Sequence, residues 1–304
     1  MSEQPTPDVV SLAEQRAQAR ADRDFAKADD LRDAIADAGW IVTDTPDGFA
    51  LAPKPPFEVF GNLQQLTEQV VLKPVDTCVA VIVEGWPQDV MTCFTALSEY
   101  VAPGVRILGL DVGNIDGAGE VLAGFAPRVD HLHVAGANPH WAQAVTALLS
   151  VAAADVVVLM DLSSVLTGDA ISPLREAIVD GVVAAAWQGV DVDLDDAWRS
   201  LLSAGPGEVD AFLGYCVALD RAFALAHPPH PKARFYRNAD IEWSFILRAA
   251  GGRIVVPTGA LPLRQDRHRG YHDADPQLRD RESKRTYDRF LSAFRGRQDL
   301  LHPR

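Results

Sequence analysis

Val156-Val157-Val158-Leu159-Met160-Asp161-Leu162-Ser163-Ser164-Val165-Leu166-Thr167-Gly168-Asp169 opens with the most apolar run of the chain. Five apolar residues suit a strand buried on both faces, and the run ends directly in a carboxylate. Upstream, residues 78–83, 105–110 and 131–134 read as further strands, with helical spacing over 90–101 and 141–152 between them. Strand–helix alternation of this kind predicts an α/β domain with a mostly parallel sheet flanked by helices. Ligands of such sheets bind beyond the carboxyl ends of the strands, so the polar residues that follow each apolar run are the ones to examine.

Two acidic residues stand at such places. Asp111 follows Ile107-Leu108-Gly109-Leu110 and precedes Val112-Gly113. There a carboxylate can accept hydrogen bonds from a ribose or base, while Gly113 lets backbone approach the ligand. Asp161 stands where a carboxylate can ligate a divalent cation bridging a diphosphate. Each is also readable as a turn or helix-cap residue. Gly113, Gly117 and Gly119 follow neither the dinucleotide nor the P-loop spacing, which argues against NAD and ATP-hydrolase chemistry. The acidic run Asp191-Val192-Asp193-Leu194-Asp195-Asp196 lacks the glycine and later glutamate of an EF-hand loop. It predicts a helix start over 194–198.

The formal charge of −14 on 304 residues argues against nonspecific nucleic-acid binding. That charge is uneven: residues 264–304 balance to +4 and the other 263 to −18. A basic tail of this kind suits a solvated helical surface, or a cover over a pyrophosphate or an anionic acceptor. Cys78, Cys93 and Cys216 are odd in number and far apart, against a disulfide framework. No apolar stretch reaches the length of a transmembrane span and no leader is evident, so the expected location is cytoplasmic, or peripheral at the inner face of a membrane.

At the other end, residues 9–38 read as a helical hairpin followed by two short strands around Pro46-Asp47-Gly48. Arg16, Ala19-Arg20, Arg23-Asp24-Phe25, Ala28-Asp29, Leu31-Arg32-Asp33, Gly39, Val42 and Asp44-Thr45 before Gly48 resemble the small C-terminal helical module of cysteinyl-tRNA synthetases. The resemblance implies a fold, not an activity. None of a synthetase's catalytic motifs is present and the segment is not basic, so a docking or interaction role is expected in preference to tRNA binding. The expected organisation is a hairpin module over 1–52, a linker over 53–75, a sheet domain over 76–262, and a basic loop and helix over 263–304.

Within the sheet domain, residues 110–117, 158–169 and 235–245, with Arg248 and Gly251-Gly252, resemble three ordered segments of the family-2 glycosyltransferases, whose fold is called GT-A. The resemblance implies transfer of a sugar from a nucleoside-diphosphate sugar to a hydroxyl acceptor in glycan assembly, with inversion; the acceptor would be a glycan, a lipid-linked sugar or a protein. It implies that Asp111 and Gly113 hold the nucleoside, with Glu84 at the end of the first strand. Asp161 and Ser163 would stand in the position of the family's Asp-x-Asp motif, and Asp240 would be the general base. A divalent metal, Mn²⁺ or Mg²⁺, is implied. Ser163 replaces a stronger ligand, so His268 and His272 are expected to complete the metal set, and Arg267 to meet the diphosphate. Asp240 is also expected near a helix start, where the dipole would keep it ionised. Further departures are Glu84-Gly85-Trp86 for the family's first-strand ending and Ala239 for a glutamate. They leave two alternatives open, a transferase-like binding scaffold and a sugar-phosphate nucleotidyltransferase.

Overall fold

The computed structural model describes residues 4–46, 48–135 and 140–303, and the chain divides into two units, 1–57 and 58–304. The turn residue Asp47 lies outside the described residues. In the first unit α1 (Pro7–Ala21) and α2 (Phe25–Asp37) form a hairpin, and β1 (Trp40–Thr45) pairs antiparallel with β2 (Gly48–Pro53). Asp24 caps α2 by accepting from the Lys27 amide. Arg16, almost fully buried, donates to Asp44 at 2.7 Å and so ties α1 to β1, and this pairing draws the Asp44 pKa down. Val9, Ala13, Ile35, Trp40 and Val42 make its small core.

The second unit begins with α3 (Leu63–Gln69), inside the stretch expected to be a linker; its Leu66 is fully buried and packs in the main core. There follow β3 (Val75–Val83), α4 (Pro87–Tyr100), β4 (Arg106–Val112), α5 (Ala118–Ala123), β5 (Asp130–Val134), α6 (Trp141–Val151) and β6 (Ala154–Met160). Next come β7 (Ser164–Leu166), α7 (Ile171–Glu176), β8 (Val182–Ala186), β9 (Gly189–Val192), β10 (Leu201–Ala204), β11 (Gly207–Glu208), β12 (Ala211–Phe212), β13 (Cys216–Asp220) and α8 (Arg221–Ala226). The chain closes with α9 (Ala239–Ala249), β14 (Arg253–Val256), β15 (Leu263–Gln265), α10 (Arg269–His272) and α11 (Pro276–Phe294).

Eight strands form one sheet in the order β11-β14-β8-β13-β6-β3-β4-β5. The four strands from β6 to β5 are parallel, as is β8 with β14, whereas β13 runs antiparallel to both β6 and β8, and β11 antiparallel to β14. The sheet is therefore mixed. Its two faces are covered by different cores: α3, α6, α8 and α9 on one, α4, α5 and α7 on the other. Cys78, Cys93 and Cys216 are buried within them as free thiols.

Two smaller ribbons matter for the site. β7 pairs antiparallel with β15, setting Ser164 opposite Gln265. β9 pairs with β10 and β12, and its apolar side packs with α9 and α11 through Trp198, Phe245 and Phe290. The helix expected over 194–198 is instead a turn. Asp193 accepts from the amides of Asp195 and Asp196, and Ala197 and Trp198 adopt positive φ, which breaks any helix there. α11 is locked onto α9 by Arg289, which donates from two nitrogens to the buried Glu242 carboxylate.

Candidate active site

Asp161 follows β6 at the carboxyl edge of the sheet, where its own amide donates to the Tyr215 carbonyl at 2.9 Å. Its Oδ1 accepts from the Ser163 amide at 2.8 Å and the Ser163 hydroxyl at 2.5 Å. Ser163 therefore grips Asp161 through both its amide and its hydroxyl. Oδ2 faces His268 Nε2 at 3.0 Å. The two atoms are in ion-pair contact, but the angle is poor. Nε2 is buried, without a partner in hydrogen-bonding geometry among the described residues. Burial would raise the Asp161 pKa, but His268 and Ser163 outweigh it and hold it lowered. On His268 burial opposes the charge, and the Asp161 carboxylate outweighs burial, so that pKa is raised.

The β7–β15 ribbon brings the two together: Asp161 lies just before β7 and His268 just after β15. His268 caps α10, its Nδ1 accepting from the Tyr271 amide at 3.1 Å, and its ring stacks on Tyr236 with centroids 4.5 Å apart.

Asp240 sits in the first turn of α9, with Gly214 donating to its Oδ2 at 3.0 Å and Ile241 to its Oδ1 at 2.9 Å. The helix start is where the sequence expects it, but the dipole does not hold this carboxyl low. Burial raises its pKa to about 6, because loss of hydration outweighs those two amides and the nearby Arg237.

Asp161, His268 and Asp240 line one cavity of about 510 Å³, together with Tyr215, Tyr236 and Arg237. Two smaller recesses adjoin it, both reaching Ile82, Glu84, Asp161 and His268. Glu84 thus stands beside Asp161. Arg267 and His272 line the larger cavity as well, both solvent-exposed, with Arg267 paired to Asp273.

Asp111 is placed differently from the expectation that it meets a nucleoside. It is 1% exposed and lines neither the cavity nor the recesses. Its Oδ1 accepts from the Asn114 amide at 3.1 Å, and its Oδ2 meets His133 Nδ1 at 2.9 Å. His133 in turn meets His131 at 2.9 Å, the contact that their alternation along β5 permits. Gly113 has φ +103° and donates to the Val134 carbonyl, so it turns the chain between β4 and β5.

Several residues of the site escape a reading of the sequence. Asp89 lines a recess, is raised in pKa by burial, and pairs with Arg269 at 3.3 Å. The signal for it is Pro87 at the first turn of a helix after the strand, with Asp89 two residues on. Tyr236, stacked on His268, and Tyr215, edge-on to it, lie in segments without periodicity. Outside the cavity, Asp191, Asp210 and His302 bring three possible metal-ligating atoms together, although His302 beside its proline reads as a loop residue. There Asp210 accepts from the Val192 and His302 amides, and His302 Nε2 lies 3.0 Å from Asp191.

No family model matches the chain. By structure it is similar to GalNAc-T7, solved with UDP, GalNAc and Mn²⁺, at a TM-score of 0.56 and 12% identity, covering 77% of this chain and 54% of that one. It is also similar to the mannosyltransferase PcManGT of Pyrobaculum calidifontis, solved with GDP-mannose and Mn²⁺ (TM-score 0.55, 15% identity, 81% of this chain and 72% of that one). The fold is GT-A. By sequence, cysteine–tRNA ligases match a short stretch: that of Opitutus terrae is 50% identical over 46 residues, and that of Micrococcus luteus 60% identical over 40. The chain spans about a tenth of the length of these ligases. No described helix is long and apolar enough to cross a membrane.

Proposed function

We propose that this chain transfers a sugar from a nucleoside-diphosphate sugar to a hydroxyl acceptor. The observation that carries the reading is the placement of Asp161 and Asp240 on one cavity at the carboxyl edge of a GT-A sheet. The Mn²⁺ and nucleotide in similar solved structures support it. Asp240 takes the proton of the acceptor hydroxyl. The acceptor oxygen then bonds to the anomeric carbon as its bond to the diphosphate breaks, and the nucleoside diphosphate leaves with the electron pair. Attack opposite the leaving group inverts the anomeric centre. At neutral pH a carboxyl with a pKa near 6 is mostly ionised yet basic enough to accept a proton as the new bond forms.

Asp161 Oδ2 and the buried His268 Nε2, side by side, suit a divalent cation. In the observed arrangement the Tyr271 amide occupies Nδ1, which leaves the imidazole proton on Nε2. Holding a cation on Nε2 would therefore require the ring proton to sit on Nδ1 and the Tyr271 amide to give up that contact. Mn²⁺ or Mg²⁺ bound at this pair would neutralise the departing diphosphate. Ser163 holds Asp161 Oδ1, which would leave Oδ2 for a cation. His272, expected as a third donor, lines the same cavity but does not gather with Asp161 and His268 into one ligand group among the described residues. Glu84 and Arg267 would flank the donor. Asp111 and Gly113 serve by shaping the loop after β4. The module over the first 52 residues serves docking.

Calorimetry with UDP-, GDP- and TDP-sugars, with and without Mn²⁺, tests the reading. We expect one nucleotide to bind with metal and to lose affinity on Asp161→Asn. Absence of binding by every donor overturns it in favour of a scaffold.

A further inference from the structure

Two charged side chains of the larger cavity take no part in the transfer reaction: Asp266, which is paired with Arg264, and Arg237. Arg237 lines it beside Asn238 and Asp240, and lines neither of the recesses that hold Glu84. Four other arginines of this region are matched to carboxylates: Arg264 to Asp266, Arg267 to Asp273, Arg269 to Asp89 and Arg279 to Asp280. Among the described residues Arg237 has no ion pair and no side-chain hydrogen bond; its guanidinium carbon lies 4.7 Å from the centroid of the Tyr271 ring. The Arg279 guanidinium stands at 4.7 Å from the same ring.

Arg279 is already paired with Asp280, so the guanidinium left over that ring without a carboxylate partner is Arg237, held there by the aromatic face. An anion entering the cavity would meet it directly. A guanidinium is also the side chain whose planar fork best fits a phosphate or carboxylate. The surroundings suit the body of such a molecule, since Leu213, Ile241 and Tyr236 give the cavity apolar and aromatic walls.

We propose that the hydroxyl acceptor is itself an anion, carrying a phosphate or carboxylate group that Arg237 binds above Tyr271. The proposal rests on the transferase reading and specifies its acceptor class. The same chemistry exists on the donor diphosphate. Arg237 is assigned to the acceptor because it borders Asp240 and stands apart from the Glu84 recesses.

The test uses the full chain with the diphosphate site filled by saturating UDP or GDP and Mn²⁺. Calorimetry then compares sn-glycerol 3-phosphate with glycerol, and glucuronate with glucose. We expect the charged member of a pair to bind at least about tenfold more tightly, the scale of one charge-assisted hydrogen bond. Arg237→Gln should erase that preference, Arg237→Lys should retain part of it, and UDP and GDP affinity should be equal in all three proteins. Equal or absent binding of charged and neutral members by the parent protein overturns the proposal. A loss of UDP or GDP affinity in Arg237→Gln also overturns it, by placing Arg237 on the donor. Failure of the parent protein to bind either nucleotide overturns the transferase reading itself.

Discussion

At the scale of single residues, the two carboxyl groups of the cavity are driven in opposite directions. Asp161 is held low by His268 and Ser163, and Asp240 is lifted to about 6 by burial. A pair so separated divides the work between a permanent anion that can hold a cation and a carboxyl that can exchange a proton. Transfer by the parent protein should therefore fall as pH drops below about 6, because protonated Asp240 cannot accept the acceptor proton. Asp240→Asn should lower transfer by about 10²–10⁴-fold at neutral pH and leave nucleotide affinity nearly unchanged. Stability should move the other way. A folded pKa raised from 3.8 to about 6 means that the native state binds the proton more tightly, so the penalty appears as pH rises from about 4 to above 6 and persists beyond. Asp240→Asn should accordingly stabilise the protein at pH 8 by roughly 1–3 kcal/mol and much less at pH 4, as read from denaturant midpoints. A variant less stable than the parent at pH 8 would contradict the burial argument. For Ser163→Ala we expect weaker nucleotide binding in Mn²⁺, since Asp161 Oδ1 loses its hydroxyl partner and the carboxylate becomes free to turn.

Elements are legible in the sequence where a long apolar run or a helical period carries them. β3, β4, β5 and β6, with α4 and α6 between them, lie close to where the sequence predicts them. β8 and β13 do not announce themselves. Val182-Val183-Ala184-Ala185-Ala186 is alanine-rich and reads equally well as helix, and Cys216–Asp220 becomes a strand by pairing on both sides. The cavity is half legible. Asp161 and Asp240 can be found from strand ends and a resemblance, whereas burial of Asp111 depends on a contact with His133, twenty-two residues away, that no local pattern specifies. α11 offers a test at this scale. Its Arg289 is the partner of the buried Glu242, so Arg289→Ala strands a charge among apolar groups and should cost about 3–5 kcal/mol in a denaturant titration. A cost below about 1 kcal/mol would mean that the pair is solvated and that α11 is held by its aromatic face alone.

At the scale of the whole molecule, the division at residue 57 separates a small core of its own from a sheet built on two larger ones. The residues that carry the likeness to the synthetase module have fold-making tasks there: Arg16 and Asp44 pair, and Asp24 caps a helix. Removing residues 1–57 should leave the remaining chain folded, with unchanged nucleotide affinity by calorimetry. The isolated 1–57 fragment should not bind tRNA at physiological salt. Submicromolar binding would show that the module kept a nucleic-acid role despite the acidic body it is joined to.

The β7–β15 ribbon joins residues a hundred positions apart, and this sets a timetable for the molecule as it is made. β3, β4, β5 and β6 have all been synthesised by Met160, so that parallel half of the sheet can begin to collapse early. Asp161 then waits, solvated, until the ribosome has released the segment that carries His268. A ligand stabilises only a state that can bind it. For a chain that transfers sugars as proposed, the nucleotide therefore cannot assist the nascent sheet through this pair until the segment carrying His268 has emerged. A ribosome stalled before that segment would hold a chain with most of its parallel sheet and the Asp161–His268 pair not yet formed.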